Sequence, residues 1–290
     1  YFPVQMRQDY RSAMEKHRLR REIIVCQVVN KLINRAGISY YHRLVGETSA
    51  SAADITRANF VARELYGAER LYRDIAAYDN PISAAAQTRM RLDVRTLVER
   101  ASRWFLNNRV LEEGTEEVVG RYEVVVERVT AALPELMIGA ELAAYEKRLE
   151  TLVGRGVTRS LAQEIAVCPP AYMVLGIVTT AARVELDPIE VARRHFEVGE
   201  QLGLPALVNR ILTLPRDDRW QTMARAALRD DLHAVHAQIT AQTLEDEPLS
   251  GAHVDKAIAT LAEICSDDEA DLARLSVGLR IVRSLLTSGS

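Results

Sequence analysis

Between Ile23 and Ile33 the apolar side chains Ile23, Ile24, Val28, Leu32 and Ile33 recur at helical steps, while Lys16, His17, Arg18, Arg20 and Arg21 crowd just ahead of them. A stripe at three- and four-residue spacing is the mark of a helix with one buried face. The pattern predicts a single long helix over residues 4–36, closed by Gly37. Further start and stop signals follow. Ser51 with Asp54 reads as a capping box, and Gly67 as that helix's stop. Asn80-Pro81 reads as N-cap and first helical residue of a helix reaching about Asn108. Thr115, Pro134 and Thr158 read as later starts. Asp187-Pro188-Ile189-Glu190 combines a cap, an N1 proline and an acidic N3, and Ser266 with Glu269 repeats the box before a last helix. No sustained period-two run lies between these signals, so no sheet is expected.

An ungapped repeat runs at an offset of 136 residues, laying 51–92 on 187–228. It matches Arg57 with Arg193, Phe60 with Phe196, Gly67 with Gly203, Leu71 with Leu207 and Ile75 with Ile211. The cap residues coincide as well. The expected architecture is all-α, a multi-helix array with two repeat-related subdomains. They would occupy 1–112 and 156–290, bridged by helices in 113–155, within one region of a longer chain.

Composition narrows this picture. Hydrophobic residues at 48% and charged residues at 27% are enough for a folded core, and aromatic residues at 6% leave helix formers dominant. A net charge of −3 supplies no general field for nucleic acid or anionic lipid. Cys26, Cys168 and Cys265 are widely spaced and odd in number, which reads as reduced thiols in a cytoplasmic setting. The chain opens at Tyr1 without Met or a signal-peptide pattern and reads as a piece of something longer. Residues 165–182 carry no charge, but Pro169 and Pro170 interrupt them. Two short core helices meeting at the prolines are expected there, not a membrane span.

Candidate chemistry is sparse. The basic stretch at 16–21 is diluted by Glu15 and Glu22 and lacks interleaved aromatics for base stacking, so it reads as a solvated helix face. "GVTRSLAQEIAVC", 156–168, has the spacing of the first helix of a DNA-reading pair, but greasy "PPAYMVLGIVTTAA" stands where a polar recognition helix is needed. Asp230, His233 and His236 share a helix face at three-residue steps, a geometry open to a metal. No matching ligand pair stands elsewhere, and they read as exposed positions near a helix end. "GRGVTR", 154–159, puts Arg159 where a dinucleotide loop needs its third glycine. Arg89, Arg103, Trp104 and Trp220 could line a pocket, though side chains fixing helix crossings are the default. No catalytic, cofactor-binding or metal-ligating residue is assigned.

A set of phrases, in order along the chain, supplies what the chemistry does not. "YFP" at Tyr1 to Pro3, "HRLRREII" at His17 to Ile24, "NRAG" at Asn34 to Gly37 and "DNPISAAAQTRM" at Asp79 to Met90 come first. "RW" at Arg103-Trp104, "NNR" ending at Arg109 and "DRWQTMARAALRDDL" at Asp218 to Leu232 follow. Together they resemble the C-terminal helical region of the large NAD-specific glutamate dehydrogenases of bacteria. The likeness covers most of the chain and is weakest at 112–157 and after 243. It implies a parent enzyme that deaminates L-glutamate to 2-oxoglutarate and ammonia with NAD as hydride acceptor. It also implies that the nucleotide fold and the catalytic residues belong to a preceding domain. The segment alone is then expected to be inactive and to bind no cofactor. Its expected partners are that preceding domain and further copies in a homo-oligomer, with no nucleic acid and no membrane. The rival reading is a free-standing helical interaction module or helix-turn-helix DNA-binding regulator.

Overall fold

The computed structural model describes residues 4–78, 82–245 and 249–286. In chain order the helices are α1 (Val4–Asp9), α2 (Arg11–Glu15), α3 (Arg20–Ala36), α4 (Ile38–Thr48), α5 (Ala52–Leu65) and α6 (Ala68–Ala76). Then come α7 (Ala84–Asn107), a 3₁₀ turn (Val110–Glu112), α8 (Thr115–Leu136), α9 (Gly139–Gly154), α10 (Arg159–Ala171) and α11 (Met173–Val184). The last five are α12 (Pro188–Gln201), α13 (Leu204–Thr213), α14 (Arg219–Glu245), α15 (Ala252–Ser266) and α16 (Leu272–Ser284). Among the described residues there is no strand, and the all-α expectation holds.

Local chemistry sets many of these limits. Ser51 caps α5, its Oγ accepting from the Asp54 amide at 3.2 Å. Asp187 caps α12 by accepting from the Ile189 amide at 2.8 Å, ahead of Pro188. Gly67 and Gly203 end α5 and α12 in the left-handed region, at φ 55° and 66°, where a Cβ would be strained. Thr158 stands at the N-cap of α10 and Gly114 at that of α8, one residue before Thr115.

Four sequence expectations need correction. The predicted helix over 4–36 is three helices, broken at Tyr10 and between Lys16 and Leu19. α1 and α2 bury no residue, so no packing holds them in one rod. Helix α7 starts at Ala84, with Ser83 Oγ accepting from the Ala86 amide at 3.2 Å; Asn80 and Pro81 lie outside the described residues. Pro134 does not start a helix but rides in the last turn of α8, where one missing hydrogen bond costs little before the end at Leu136. Ser266 closes α15, and α16 is capped by Asp271, which accepts from the Arg274 amide at 2.9 Å.

Packing then divides the apolar surface. The largest core runs from Ala58 to Phe196 and draws on α5, α7, α8, α10 and α11. A second, from Val198 to Leu285, is built on α13 to α16. Helix α12 contributes Phe196 to the first and Val198 to the second. A small third cluster joins Leu32, Ala36, Tyr40, Leu44 and Ile55. Helices α10 and α11 meet at 62° just after Pro169 and Pro170, and both are largely buried. The break frees the Ala171 carbonyl, which accepts from the Tyr66 hydroxyl at 3.0 Å. No single helix among the described residues is long and apolar enough to cross a membrane; only the bent α10–α11 pair reaches that length together.

Candidate functional site

Two features stand out from ordinary packing: a polar seam inside the molecule and an uncovered apolar face outside it. The seam starts on α14. Its Asp230, His233 and His236 do not sit exposed near a helix end, as the sequence suggested, but lie in the middle of a 27-residue helix that packs on α11 and α12. His236 is buried, and its Nε2 donates to the His195 carbonyl at 2.8 Å. The Thr240 hydroxyl donates to the His236 carbonyl at 2.8 Å and lies 3.1 Å from His195 Nδ1. Because that hydroxyl proton is already used, His195 must donate through Nδ1, which leaves its Nε2 as an acceptor. Burial, with the charge of neighbouring His236 opposing theirs, drives the pKa of His195 and His233 well below 6.5; burial takes His236 down to about 4. All three are neutral imidazoles near pH 7.

Beside them, α7 presents Arg100 and Arg103. Arg103 is buried and pairs with Glu47 of α4, with Glu99 at 3.5 Å and with Asp230 of α14 at 3.7 Å. Arg43 joins the same group through Glu99 at 2.6 Å. Desolvation raises the Glu47 carboxyl, against the pull of Arg103 and Arg43. Arg103 therefore fixes a three-helix crossing, the default expected of it. Trp104 is half-buried against Phe105 and Tyr122, whereas Trp220 is 70% exposed and Arg89 lies at the surface.

Among the described residues no three His, Cys, Asp or Glu side chains are grouped to hold a metal. "GRGVTR" begins at the end of α9 and runs into α10, a helix–loop–helix with no strand to aim the loop. "GVTRSLAQEIAVC" leads into the buried α11, so no polar helix follows it. Sequence reading missed Arg100, Tyr172 and His195. The one available signal is the ungapped alignment of 51–92 on 187–228, which lays His195 on Asn59, both polar and both buried.

The outer feature is formed by α1 to α3. Of the stripe that predicted a buried face, Leu32 alone is buried, while Ile24 is 48% and Ile33 37% exposed. Leu19, Val25 and Val29 are exposed too. Beneath them lies a groove of about 580 Å³, walled by Met14, Ile23, Ile24, Val28, Leu32 and Phe60. Arg7, Arg20 and Lys31 rim it, with Arg11 neutralised by its ion pair to Glu15 at 3.1 Å.

A family model described as "Glutamate dehydrogenase, C-terminal" matches residues 1–284. The NAD-specific glutamate dehydrogenase of Mycobacterium tuberculosis is 31% identical over 100% of this chain, which spans 19% of that protein. Those of Halomonas elongata and Pseudomonas aeruginosa are 33% and 32% identical over 84% of the chain, which covers 15% of each. The chain thus spans less than a fifth of the length of these relatives, and its helices, paired and capped as described, belong to the glutamate dehydrogenase C-terminal family.

Proposed function

We propose that this chain is the C-terminal helical region of a NAD-dependent glutamate dehydrogenase. The whole polypeptide would convert L-glutamate, NAD and water to 2-oxoglutarate, ammonia and NADH. In that reading the region is a structural or regulatory body that packs against the catalytic part of the same polypeptide and helps set its orientation. NAD and glutamate are handled elsewhere in the longer chain, in the cytoplasm and within a homo-oligomer.

The observation that carries this reading is the uncovered face of α1 to α3. A helix that exposes Leu19, Ile24, Val25, Val29 and Ile33 beside an apolar groove leaves a patch that a free-standing protein would normally cover. The relatives are long enough to supply the cover, since the chain accounts for 15–19% of their length. The basic rim fits an acidic edge on the covering part. The DNA-regulator alternative has no comparable support, because the helix after the 156–168 stretch is interior.

The test compares the full-length protein with the 290-residue chain. Glutamate-dependent NADH formation is expected from the first and not from the second, and turnover by the chain alone would end the proposal. In hydrogen exchange, amides of α3 should be protected in the full-length protein and exchange faster in the isolated chain. The repeat belongs to the same proposal. Helix limits at the 136-residue offset agree within one residue from α5/α12 through α6/α13 to the start of α7/α14, which supports a duplicated unit. With it goes the division into 1–112, 113–155 and 156–290.

A further inference from the structure

Helices α7, α11 and α14 enclose a cavity of about 360 Å³ whose wall includes Arg100, Trp104, Tyr172, His195 and His233. Exposed Asn108, Arg183 and Asp231 also line it, so it opens to solvent. That volume suits a small molecule.

Its polar lining is unfinished. The Tyr172 hydroxyl, His195 Nε2, His233 Nε2 and Arg100 Nε are all buried without a hydrogen-bond partner, and Tyr172 and His195 as whole residues are only 8% and 3% exposed. Buried polar atoms are nearly always paired, so four in one wall point to something that completes them. The Arg100 guanidinium lies over the Tyr172 ring at 5.0 Å, and no carboxylate of the described residues reaches it as an ion pair. Nearby acids are engaged already. Asp230 takes Arg229 at 2.6 Å and Arg103 at 3.7 Å, Asp231 takes Arg283 at 3.6 Å, and Glu99 takes Arg43 at 2.6 Å. Arg183 adds a second cation to the wall, likewise without an ion-pair partner among the described residues. Asp230 and Glu99 act on the Arg100 guanidinium only from a distance, without a direct ion pair, so a half-buried cation is left able to take an anion of its own.

We propose that this cavity is a binding site for a small anion, held by the Arg100 guanidinium and the Tyr172 hydroxyl. A carboxylate and a phosphate share the geometry a guanidinium fork recognises. His195 Nε2, left as an acceptor, is served by an O–H of the ligand or of a water bound with it. Trp104 supplies an apolar wall for the remainder of the molecule. The site stands independently of the glutamate dehydrogenase reading.

Isothermal titration of the full-length protein with succinate, and separately with inorganic phosphate at matched ionic strength, tests it. Wild type is compared with Arg100→Gln and Tyr172→Phe, each checked for its fold by circular dichroism. At least one anion should bind saturably, with affinity falling about tenfold or more in Arg100→Gln and about threefold or more in Tyr172→Phe, as expected for charge-assisted bonds. Succinate alone binding marks a carboxylate site; phosphate alone marks a phosphate site. Binding elsewhere in the longer protein would be the same in all three proteins, so only the component that the variants lose counts. If neither anion binds, or both variants bind like wild type, the cavity holds only water and the proposal falls. Should Arg100→Gln fail to fold, Tyr172→Phe, which removes one oxygen atom, decides.

Discussion

The imidazole rings of His195 and His236 lie stacked, centroids 3.6 Å apart and planes 20° from parallel, where α12 crosses α14. Two protonated rings at that distance would repel strongly in a water-poor interior, so the pair stays neutral when folded. An unfolded His binds its proton near 6.5, while folded His236 does so only near 4. Stability from this group is complete above pH 6.5 and is lost as pH falls toward 4, because only the unfolded chain gains the proton in between. At pH 5 the loss from His236 alone is about 2 kcal/mol. The urea midpoint should fall between pH 7 and pH 5, with a shallower fall in His236→Gln. A midpoint indifferent to pH over that window would disprove the neutral pair.

The same crossing makes Gly199 a contact position. A Cβ built there would stand 3.0 Å from His236 Cε1 and 3.3 Å from its Nε2, and that ring is fixed by its hydrogen bond and its stacked neighbour. Gly199→Ala should destabilise by about 1–3 kcal/mol through overpacking. Gly120, within α8 and with nothing inside 4 Å of its would-be Cβ, should respond oppositely. There Ala is expected to stabilise by about 1 kcal/mol from helix propensity alone. Thermal unfolding of the two variants checks both signs at once.

Helix ends are legible in the sequence wherever their cause is local. The stops at Gly67 and Gly203 need only a missing Cβ, and the caps at Ser51 and Asp187 need only a side-chain oxygen within three residues of the amide it serves. The cap of α16 is not decided locally, because Ser266 and Asp271 are both competent acceptors and the packing of α16 chooses between them. The break-up of 4–36 is hidden for a related reason: periodicity reports what a helix could bury, not whether anything is there to bury it against. The cavity wall is the least legible part. Arg100, Tyr172 and His195 are brought together from separate stretches of chain, and their polarity points to the surface.

Ile24 offers a direct test of the outer face. It is 48% exposed in this chain, so Ile24→Asp should change the stability of the isolated chain by no more than about 0.5 kcal/mol. In the full-length protein the same change would place a carboxylate in a covered apolar seam. It should then cost at least about 1.5 kcal/mol, the burial of one large aliphatic side chain. Equal effects in both proteins, measured by urea unfolding, would mean that the face is not covered by the rest of the polypeptide.

Arg103 and Glu47 form an ion pair that is nearly sealed from water, with side chains 7% and 6% accessible. Each charge is tolerable only because the other is present, and Arg103 also serves Glu99 and Asp230. Arg103→Met should therefore cost about 3–5 kcal/mol, most of it from leaving carboxylates buried beside a neutral thioether. Glu47→Leu should cost less, since Arg103 keeps two other acids. The Glu47 carboxyl, already raised by desolvation, would titrate higher still in Arg103→Met. That single variant should lose less stability at pH 5 than at pH 8, because protonating the orphaned acid relieves the penalty. The double variant should recover a coupling of about 0.5–3 kcal/mol relative to the summed singles. Strict additivity in this cycle would mean that the Arg103–Glu47 pair itself contributes nothing to holding α4 on α7.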